Sequence, residues 1–280
     1  MMTLNFIYAE RSGIKFTAMV FPDGQPHLKL DMQSLASLDR KMPVRILSRI
    51  ANSNDLILLL LAKNTLDYEG FEHVSLDISY LIAARMDRVM QDGEPFSLKV
   101  VAGIINAAGF KKVRIFDPHS EVATAVIDRS YAVTNHGFVK DALADYVKKY
   151  NPKNYCLVSP DAGALKKIHK LAQYLGVHDV VECFKERDLK TGALSGFTTA
   201  ATDLAGQTCF IIDDICDGGG TFAGTAKMLK GLGAEKIVLV VSHGIFSKGL
   251  AIEGVDDIYT TDSYKAVTGV NCFPVSEYLF

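Results

Sequence analysis

An apolar run, a glycine-rich polar segment and a helical pattern follow one another without interruption between Cys209 and Gly233. The run Cys209–Ile212 is short and rich in isoleucine, which predicts a strand buried on both faces. Apolar residues then recur at helical spacing from Ala223 until Gly233 ends the pattern. A strand that enters a helix through such a loop is typical of an open α/β sheet, which binds its ligands at the carboxyl edge of the strands.

Strand and helix patterns alternate along most of the chain, which predicts an α/β protein with largely parallel sheets. The run Leu56–Leu61 fits a buried strand or a buried helix, and the N-cap residue types Ser53, Asn54 and Asp55 before it favour a helix. The predicted strands are Val44–Ile50, His73–Tyr80, Val113–Phe116, Tyr155–Val158, Val180–Phe184, Phe210–Ile212 and Ile237–Val241. The predicted helices are Asn54–Leu66, Pro95–Ala108, Val139–Tyr150, Ala164–Leu175 and Phe222–Leu232.

The length of the chain predicts two domains, because 280 residues exceed the usual size of one. We expect the junction near Asn135–Gly137, where a second series of strands and helices begins. The predicted domains are therefore residues 1–137 and 138–269. Whether residues 270–280 return to the first domain is left open.

Composition narrows the range of partners. Thirty basic and 32 acidic residues nearly balance, which argues against nucleic acid or a membrane surface as the partner and favours a small molecule. The five cysteines lack C-x-x-C spacing, so we expect reduced residues in a cytoplasmic protein. The N-terminus has no basic segment followed by a long apolar stretch, and the longest apolar run is too short to span a bilayer.

The segment after Ile212 carries features of a sugar-phosphate site. Glycines allow a phosphate to approach backbone N–H groups at a helix start, and Asp213 and Asp214 can accept hydrogen bonds from two ribose hydroxyls. The pattern differs from the P-loop and from the dinucleotide fingerprint. A solvated turn rich in Gly and Asp is the alternative interpretation, and we favour the phosphate site because several features coincide in one loop.

Six segments in collinear order resemble motifs of one enzyme family. They are FPDGQ from Phe21, ISYLIAARMDR from Ile78, EPFSLKVVA from Glu94, FDPHS from Phe116, SPDAGALKK from Ser159 and DDICDGGGT from Asp213. Together they resemble the ribose-phosphate diphosphokinases, also called phosphoribosyl pyrophosphate synthetases. The resemblance implies two tandem phosphoribosyltransferase-type domains, with the ATP side in the first and the ribose-phosphate side in the second. It also implies a homo-oligomer, because a neighbouring subunit contributes to the ATP site in that family.

The resemblance assigns the ATP site to two segments of the first domain. Phe21 and Arg85 would hold adenine between flat faces, and Asp23 and Gln25 would read the edge of the base. Met86 and Asp87 complete the assignment. Gln25 stands where the family has glutamate and Met86 where it has glutamine. Core packing for Phe21 and a surface ion pair for Arg85 are the alternatives.

The remaining roles concern metal, diphosphate and ribose. By resemblance, His119 and Asp161 bind Mg²⁺. By the same resemblance, the diphosphate loop consists of Asp161, Ala162 and Gly163. Lys185 and Arg187 act on the migrating diphosphate from a flexible loop. A solvated charge run is the alternative for the two cations. The ribose-phosphate site comprises Asp213, Asp214, Asp217, Gly218, Gly219, Gly220 and Thr221.

The expected activity is transfer of the β,γ-diphosphate of ATP to the 1-hydroxyl of ribose 5-phosphate, which gives phosphoribosyl pyrophosphate and AMP. Gly218 replaces a family threonine, so a 5-extended acceptor such as ADP-ribose, feeding NAD reconstitution, stays open. A non-catalytic, synthetase-associated regulatory subunit is a third hypothesis, against which Lys185, Arg187 and His119 argue. A base-using phosphoribosyltransferase would share the glycine loop but would not need the two ATP segments.

Overall fold

The computed structural model describes residues 1–187 and 194–279. It divides into two compact units: unit 1 is Met1–Thr134 together with Leu279, and unit 2 is Asn135–Tyr278. Each unit has its own sheet with helices, and nearly all strand pairs are parallel. The prediction of an α/β protein with largely parallel sheets is confirmed. No helix in the described ranges combines the length and the apolar character needed to cross a bilayer.

Unit 1 contains a five-stranded parallel sheet and a separate two-stranded hairpin. The sheet has the order β1-β4-β5-β6-β7, and its helices cover an apolar face built from residues such as Ile46, Leu76 and Ile115. The strands are β1 (Met2–Asn5), β2 (Phe16–Val20), β3 (Pro26–Leu30), β4 (Val44–Ile50), β5 (Val74–Leu81), β6 (Val113–Phe116) and β7 (Ser130–Val133). The helices are α1 (Met32–Ala36), α2 (Ser53–Tyr68), α3 (Ser97–Ala107), α4 (Val122–Val126) and a short 3-10 helix, Ala9–Arg11.

Helix α2 confirms the interpretation of the Leu56–Leu61 run as a buried helix. The side chain of Asn52 accepts a hydrogen bond from the Asp55 N–H, and the Asp55 carboxylate accepts from the Asn52 N–H, so the two residues form a capping box. This pairing satisfies two backbone donors at the start of the helix. The N-cap residue types therefore decided between helix and strand where apolar periodicity could not.

Unit 2 contains a seven-stranded sheet of order β10-β9-β8-β11-β12-β13-β14, in which only the β9–β10 pair is antiparallel. The strands are β8 (Asn154–Ser159), β9 (Val180–Arg187), β10 (Leu194–Thr199), β11 (Gln207–Cys216), β12 (Lys236–Gly244), β13 (Asp257–Thr261) and β14 (Asn271–Phe273). The helices are α5 (His136–Tyr150), α6 (Leu165–Leu175), α7 (Gly220–Gly231), α8 (Ser276–Leu279) and a 3-10 helix, Ala162–Ala164. The central strands are buried on both faces, as the apolar run before Asp213 predicts.

The predicted elements all occur, with their ends shifted by up to four residues. The largest shift bears on the site: β11 ends at Cys216, whereas the sequence predicted its end at Ile212. Residues 213–216 stay in the ladder because they pair with β12, Asp213 opposite Val241 and Cys216 opposite Gly244. The five cysteines are free thiols, as expected, four of them buried and Cys272 half-buried.

Candidate active site

In unit 1, the segment FPDGQ forms the turn of the β2–β3 hairpin. The Phe21 N–H donates to the Gln25 carbonyl (2.9 Å), and the Gly24 N–H donates to the Phe21 carbonyl (2.8 Å). Asp23 also stabilises the turn, because its carboxylate accepts from the Gln25 N–H (3.1 Å). Phe21 is 37% exposed, so its ring is presented at the surface of the unit and core packing does not explain it.

The second predicted ATP segment follows β5. Ala83 adopts φ 64°, and the Met86 N–H donates to the Ala83 carbonyl, which closes a tight turn between the strand and the exposed side chains of Arg85 and Met86. Asp87 is buried and binds the guanidinium of Arg88 at 2.8 and 3.2 Å. The turn thus presents Arg85 and Met86 to solvent and turns Asp87 inward.

The segment FDPHS follows β6, the neighbouring strand. Asp117 has φ 36°, a left-handed conformation that residues other than glycine rarely adopt. The hydrogen bond from Arg88 holds the pKa of Asp87 below its usual value, and Ser120 and His119 contribute in the same direction. The carboxyl ends of β5 and β6 therefore bring Asp87 near His119 and Ser120, as expected for adjacent parallel strands.

In unit 2, the candidate diphosphate loop follows β8. Asp161 caps the 3-10 helix, since one of its carboxylate oxygens accepts from the Ala164 N–H (3.1 Å). The other oxygen is ion-paired with the ammonium of Lys185. The Ser159 hydroxyl donates to the Asp161 carbonyl (2.9 Å), which fixes the backbone of the loop.

The predicted catalytic cations lie in a strand, whereas the sequence placed them in a loop. Lys185 and Arg187 are in the last part of β9, which pairs antiparallel with β10. The side chain of Arg187 lies outside the described part of the chain. Strands β9 and β10 form a two-stranded ribbon that packs on α7. The Phe197 ring of β10 occupies the space beside Gly224 of α7, where its Cε2 atom lies 2.0 Å from the position of an ideal Cβ at 224.

Asp213 and Asp214 lie inside β11, although the sequence predicted them in a loop after the strand. The Asp214 N–H donates to the Asp213 carboxylate (2.8 Å). Burial raises the pKa of Asp213 well above its usual value, and the charges of Asp214 and Asp161 raise it further. Asp161 lies on the loop after the neighbouring strand β8, and its negative charge is therefore near enough to disfavour ionisation of Asp213.

The phosphate loop, residues 217–219, leads directly into α7. Gly219 is the N-cap of this helix at φ 76° and has no side chain to satisfy the N–H groups of the first turn. N–H groups at such a helix start can bind an anion, and Thr221 lies in the same first turn, so the phosphate site at this position stays a prediction. Gly218 does not adopt a left-handed conformation, whereas Gly219 does.

A second loop, residues 245–254, packs against the phosphate loop, and we call it the cover loop. The methylene groups of Lys248 lie 3.5 to 3.9 Å from an ideal Cβ at Gly218. Ile252 Cγ1 lies 3.1 Å from the corresponding position at Gly219. The distances at Gly218 are ordinary van der Waals contact, so the stem of Lys248 borders the position that a side chain at 218 would take.

The two units thus bring together two groups of predicted residues. Unit 1 joins Asp87 to the loop of His119, and unit 2 gathers Asp161, Lys185 and Asp213. The sequence analysis did not identify Lys248 or Phe197. A signal for Lys248 was available, because this cation follows the predicted strand Ile237–Val241 and ligands bind at the carboxyl ends of such strands. In the described ranges, no group of three or more His, Cys, Asp or Glu residues could hold a metal ion.

Comparison with known proteins gives a match to one domain family and relatives matched over part of their length. A family profile described as the phosphoribosyl transferase domain matches residues 136–276. The ribose-phosphate pyrophosphokinase of Marinomonas sp. is 31% identical over 235 residues, which cover 81% of this chain and 73% of the relative. That of Corynebacterium efficiens is 32% identical over 190 residues, and the match spans only 58% of the relative's length.

A solved structure supports the same fold. The chain matches phosphoribosylpyrophosphate synthetase from Mycobacterium smegmatis with a TM-score of 0.78 at 20% identity, over 94% of this chain and 87% of the other. At this identity the likeness concerns the fold alone. It extends over both units, whereas the phosphoribosyl transferase profile covers the second.

Proposed function

Since this chain belongs to the ribose-phosphate pyrophosphokinase family, we propose that it transfers the diphosphate of ATP to the anomeric hydroxyl of a ribose 5-phosphate compound. The hydroxyl oxygen forms a bond to the β-phosphorus, the bond between that phosphorus and the α-phosphate oxygen breaks, and AMP leaves as the hydroxyl proton is released. With ribose 5-phosphate the product is phosphoribosyl pyrophosphate. Such a reaction depends mainly on positioning and on stabilisation of phosphate charge.

The arrangement in unit 2 supports the ribose-phosphate part of this proposal. The N–H groups at the start of α7 bind the 5-phosphate, and Thr221 adds a hydroxyl donor. Asp213 and Asp214 accept hydrogen bonds from the ribose hydroxyls, which orients the anomeric carbon. Cys216 precedes this loop; burial raises the pKa of its thiol to about 12, so it stays neutral beside the phosphate.

The pairing of Lys185 with Asp161 is the single observation that carries the catalytic proposal. It places a cation at the loop assigned to the diphosphate, where charge is redistributed during transfer. Arg187 is proposed as the second cation. By resemblance, His119 of unit 1 and Asp161 of unit 2 are each proposed as ligands of Mg²⁺, which when bound would neutralise the phosphates of ATP. An imidazole and a carboxylate suit this ion, because magnesium keeps most of its waters and needs few protein ligands.

On the ATP side, we propose that Phe21 and Arg85 stack on adenine. The exposure of the Phe21 ring supports this role, since a surface aromatic face is available to a base. Asp23 and Gln25 read the edge of the base from the same turn, and Met86 and Asp87 belong to the second segment. We also propose a homo-oligomer that works in the cytoplasm.

The test is incubation with Mg·ATP and either ribose 5-phosphate or ADP-ribose, followed by identification of the products by mass. We expect one AMP for each diphosphorylated acceptor and no AMP without an acceptor. Acceptor binding without AMP would instead identify a regulatory subunit. A strict requirement for a nucleobase would identify a phosphoribosyltransferase.

ADP-ribose is retained as a second acceptor because of one specific observation. Gly218 offers no hydroxyl to the 5-phosphate, and its neighbour in space is a lysine. A pocket that lacks the hydroxyl and carries an extra cation suits an acceptor with more phosphate on its 5-position. The diphosphorylated product of ADP-ribose would feed NAD reconstitution.

A further inference from the structure

We propose that Lys248 of the cover loop binds a second phosphoryl group attached to the 5-phosphate of the acceptor. The inference rests on the proposed function, because it takes the start of α7 as the site of the 5-phosphate. It adds a binding residue and a ligand class: riboses whose 5-phosphate is part of a diphosphate. Its basis is the position of Lys248, which three features of the cover loop determine.

The base of the cover loop is attached to the strand that leads into the phosphate loop. The N–H groups of Ile245 and Phe246 both donate to the Cys216 carbonyl, at 2.9 and 3.1 Å. The Phe246 ring fills the space left by Gly244, whose ideal Cβ would lie 2.2 Å from the ring. The first residues of the cover loop therefore hold a fixed position beside Asp217.

The turn that carries Lys248 is closed by its own backbone. The Gly249 N–H donates to the Phe246 carbonyl (3.0 Å), and Gly249 adopts φ 89°, which only glycine tolerates well. The last part of the cover loop packs on α7, where an ideal Cβ at Gly254 would lie 3.0 Å from the Ala226 Cβ. Lys248 is thus held from both sides and differs from a lysine on an unconstrained surface loop.

The charge of Lys248 is available to a ligand. Its stem lies along Gly218, and the side chain is exposed, with no hydrogen bond or ion pair to another described residue. The N–H donors at the start of α7 are neutral and surround one phosphate. The ammonium of Lys248, whose stem runs along Gly218, instead matches the charge of a second phosphoryl group attached to that phosphate.

The test is calorimetric binding of ADP-ribose and of ribose 5-phosphate, which needs no turnover. We compare the wild type with Lys248→Gln, which keeps a polar side chain one atom shorter but removes its charge, and with Lys248→Arg, which keeps the charge. Lys153→Gln serves as the control, because Lys153 is exposed before β8, at the amino edge of the same sheet.

We expect Lys248→Gln to weaken ADP-ribose about tenfold and ribose 5-phosphate less than threefold, as loss of one exposed charge-assisted contact predicts. Lys248→Arg should stay near wild type, and Lys153→Gln should change neither ligand. Equal weakening of both ligands would assign Lys248 to the 5-phosphate itself and overturn the inference. Unchanged binding of ADP-ribose by Lys248→Gln would also overturn it, as would a wild type that does not bind ADP-ribose. Failure of the proposed function would appear separately, as binding without AMP release.

Discussion

The ammonium of Lys185 is ion-paired with the carboxylate of Asp161 across the β8 and β9 ends of the second sheet. Lys185 is therefore preorganised at the diphosphate loop before any ligand binds. We expect Lys185→Ala to lower turnover about a hundredfold or more, the usual effect of losing one preorganised donor. Initial rates of AMP release with saturating ATP and ribose acceptor measure this effect.

The same variant should change folding little, because both partners are partly exposed and such ion pairs contribute about 1 kcal/mol or less. Lys170→Ala, an exposed lysine of α6, is the matched control and should retain full turnover. Arg187→Ala is expected to lower turnover similarly. Rates within a few-fold of wild type for both Lys185→Ala and Arg187→Ala would remove this strand from the mechanism.

The contact between Phe197 and Gly224 joins the β9–β10 ribbon to α7. A methyl group at 224 would lie 2.0 Å from the Phe197 ring, so Gly224→Ala requires the ribbon or the helix to move. We expect a loss of about 1–3 kcal/mol in the free energy of unfolding, together with lower turnover because the ribbon carries Lys185. Chemical denaturation and AMP release measure the two effects.

Two further variants separate steric overlap from helix propensity. Gly231→Ala, at the end of the same helix, has open space around its ideal Cβ and should be neutral or slightly stabilising. Adding Phe197→Ala to Gly224→Ala should recover part of the lost stability, because the ring that the methyl meets is gone. Equal stability of the two glycine variants would show that the ring moves aside at no cost.

The raised pKa of Asp213 predicts a pH-dependent stability. An unfolded aspartate titrates near pH 4, whereas the folded carboxyl keeps its proton to higher pH, since burial and the charges of Asp214 and Asp161 disfavour ionisation. The folded state then binds more protons than the unfolded state. Stability from this group is full below about pH 4 and falls as pH rises towards the folded pKa.

Asp213→Asn should therefore raise the free energy of unfolding at pH 7 by about 1 kcal/mol, and with it the melting temperature. The variant should lose this advantage near pH 4. The amide oxygen can still accept from the Asp214 N–H. Turnover should fall, because the carboxylate is assigned to a ribose hydroxyl. Asp203→Asn, in which an exposed carboxylate also accepts a backbone N–H, is the control and should show no such pH dependence.

The order of elements could be predicted because buried parallel strands and amphipathic helices have distinct periods. The ends of β9 and β11 could not, because Lys185 and Asp213 are polar residues that stay in their ladders only through partners distant in sequence. The β2–β3 hairpin was missed although Asp23-Gly24 is a turn dipeptide. Lys248 follows a predicted strand, but its contact with Gly218 could not be predicted, since it depends on how two loops pack.

The exposed ring of Phe21 predicts a selective effect on ATP. Loss of a stacking face costs about 1–3 kcal/mol per base, so Phe21→Ala should weaken ATP binding roughly tenfold and leave the ribose acceptor nearly unchanged. Met19→Ala, an exposed apolar residue on the same hairpin, is the control and should affect neither ligand. Binding of each ligand is measured separately by calorimetry, and equal weakening of both would point to a structural role for Phe21.

The two glycines of the phosphate loop should respond in opposite ways to substitution. Gly219→Ala is expected to destabilise the loop, because φ 76° is strained for alanine and Ile252 lies 3.1 Å from the new Cβ. Gly218→Thr meets no such barrier, since its ideal Cβ has only van der Waals contact with Lys248 at 3.5 Å. The backbone conformation at 218 therefore does not require glycine, and a residue with a side chain can occupy this position.

Gly218→Thr should accordingly fold normally and shift acceptor preference towards ribose 5-phosphate. The threonine hydroxyl can donate to the 5-phosphate, and one such bond contributes about 1 kcal/mol, roughly fivefold in affinity. The threonine atoms beyond Cβ would lie closer to the stem of Lys248, which is 3.5 Å from the ideal Cβ, and should weaken the contact of that cation with a second phosphoryl group. The hydroxyl serves the 5-phosphate of either acceptor, whereas the weakened lysine contact affects only the acceptor with a second phosphoryl group. The ratio of kcat/KM for ribose 5-phosphate to that for ADP-ribose should therefore rise severalfold. An unchanged ratio in a correctly folded variant would separate position 218 from acceptor choice and leave Lys248 to be judged by its own substitutions.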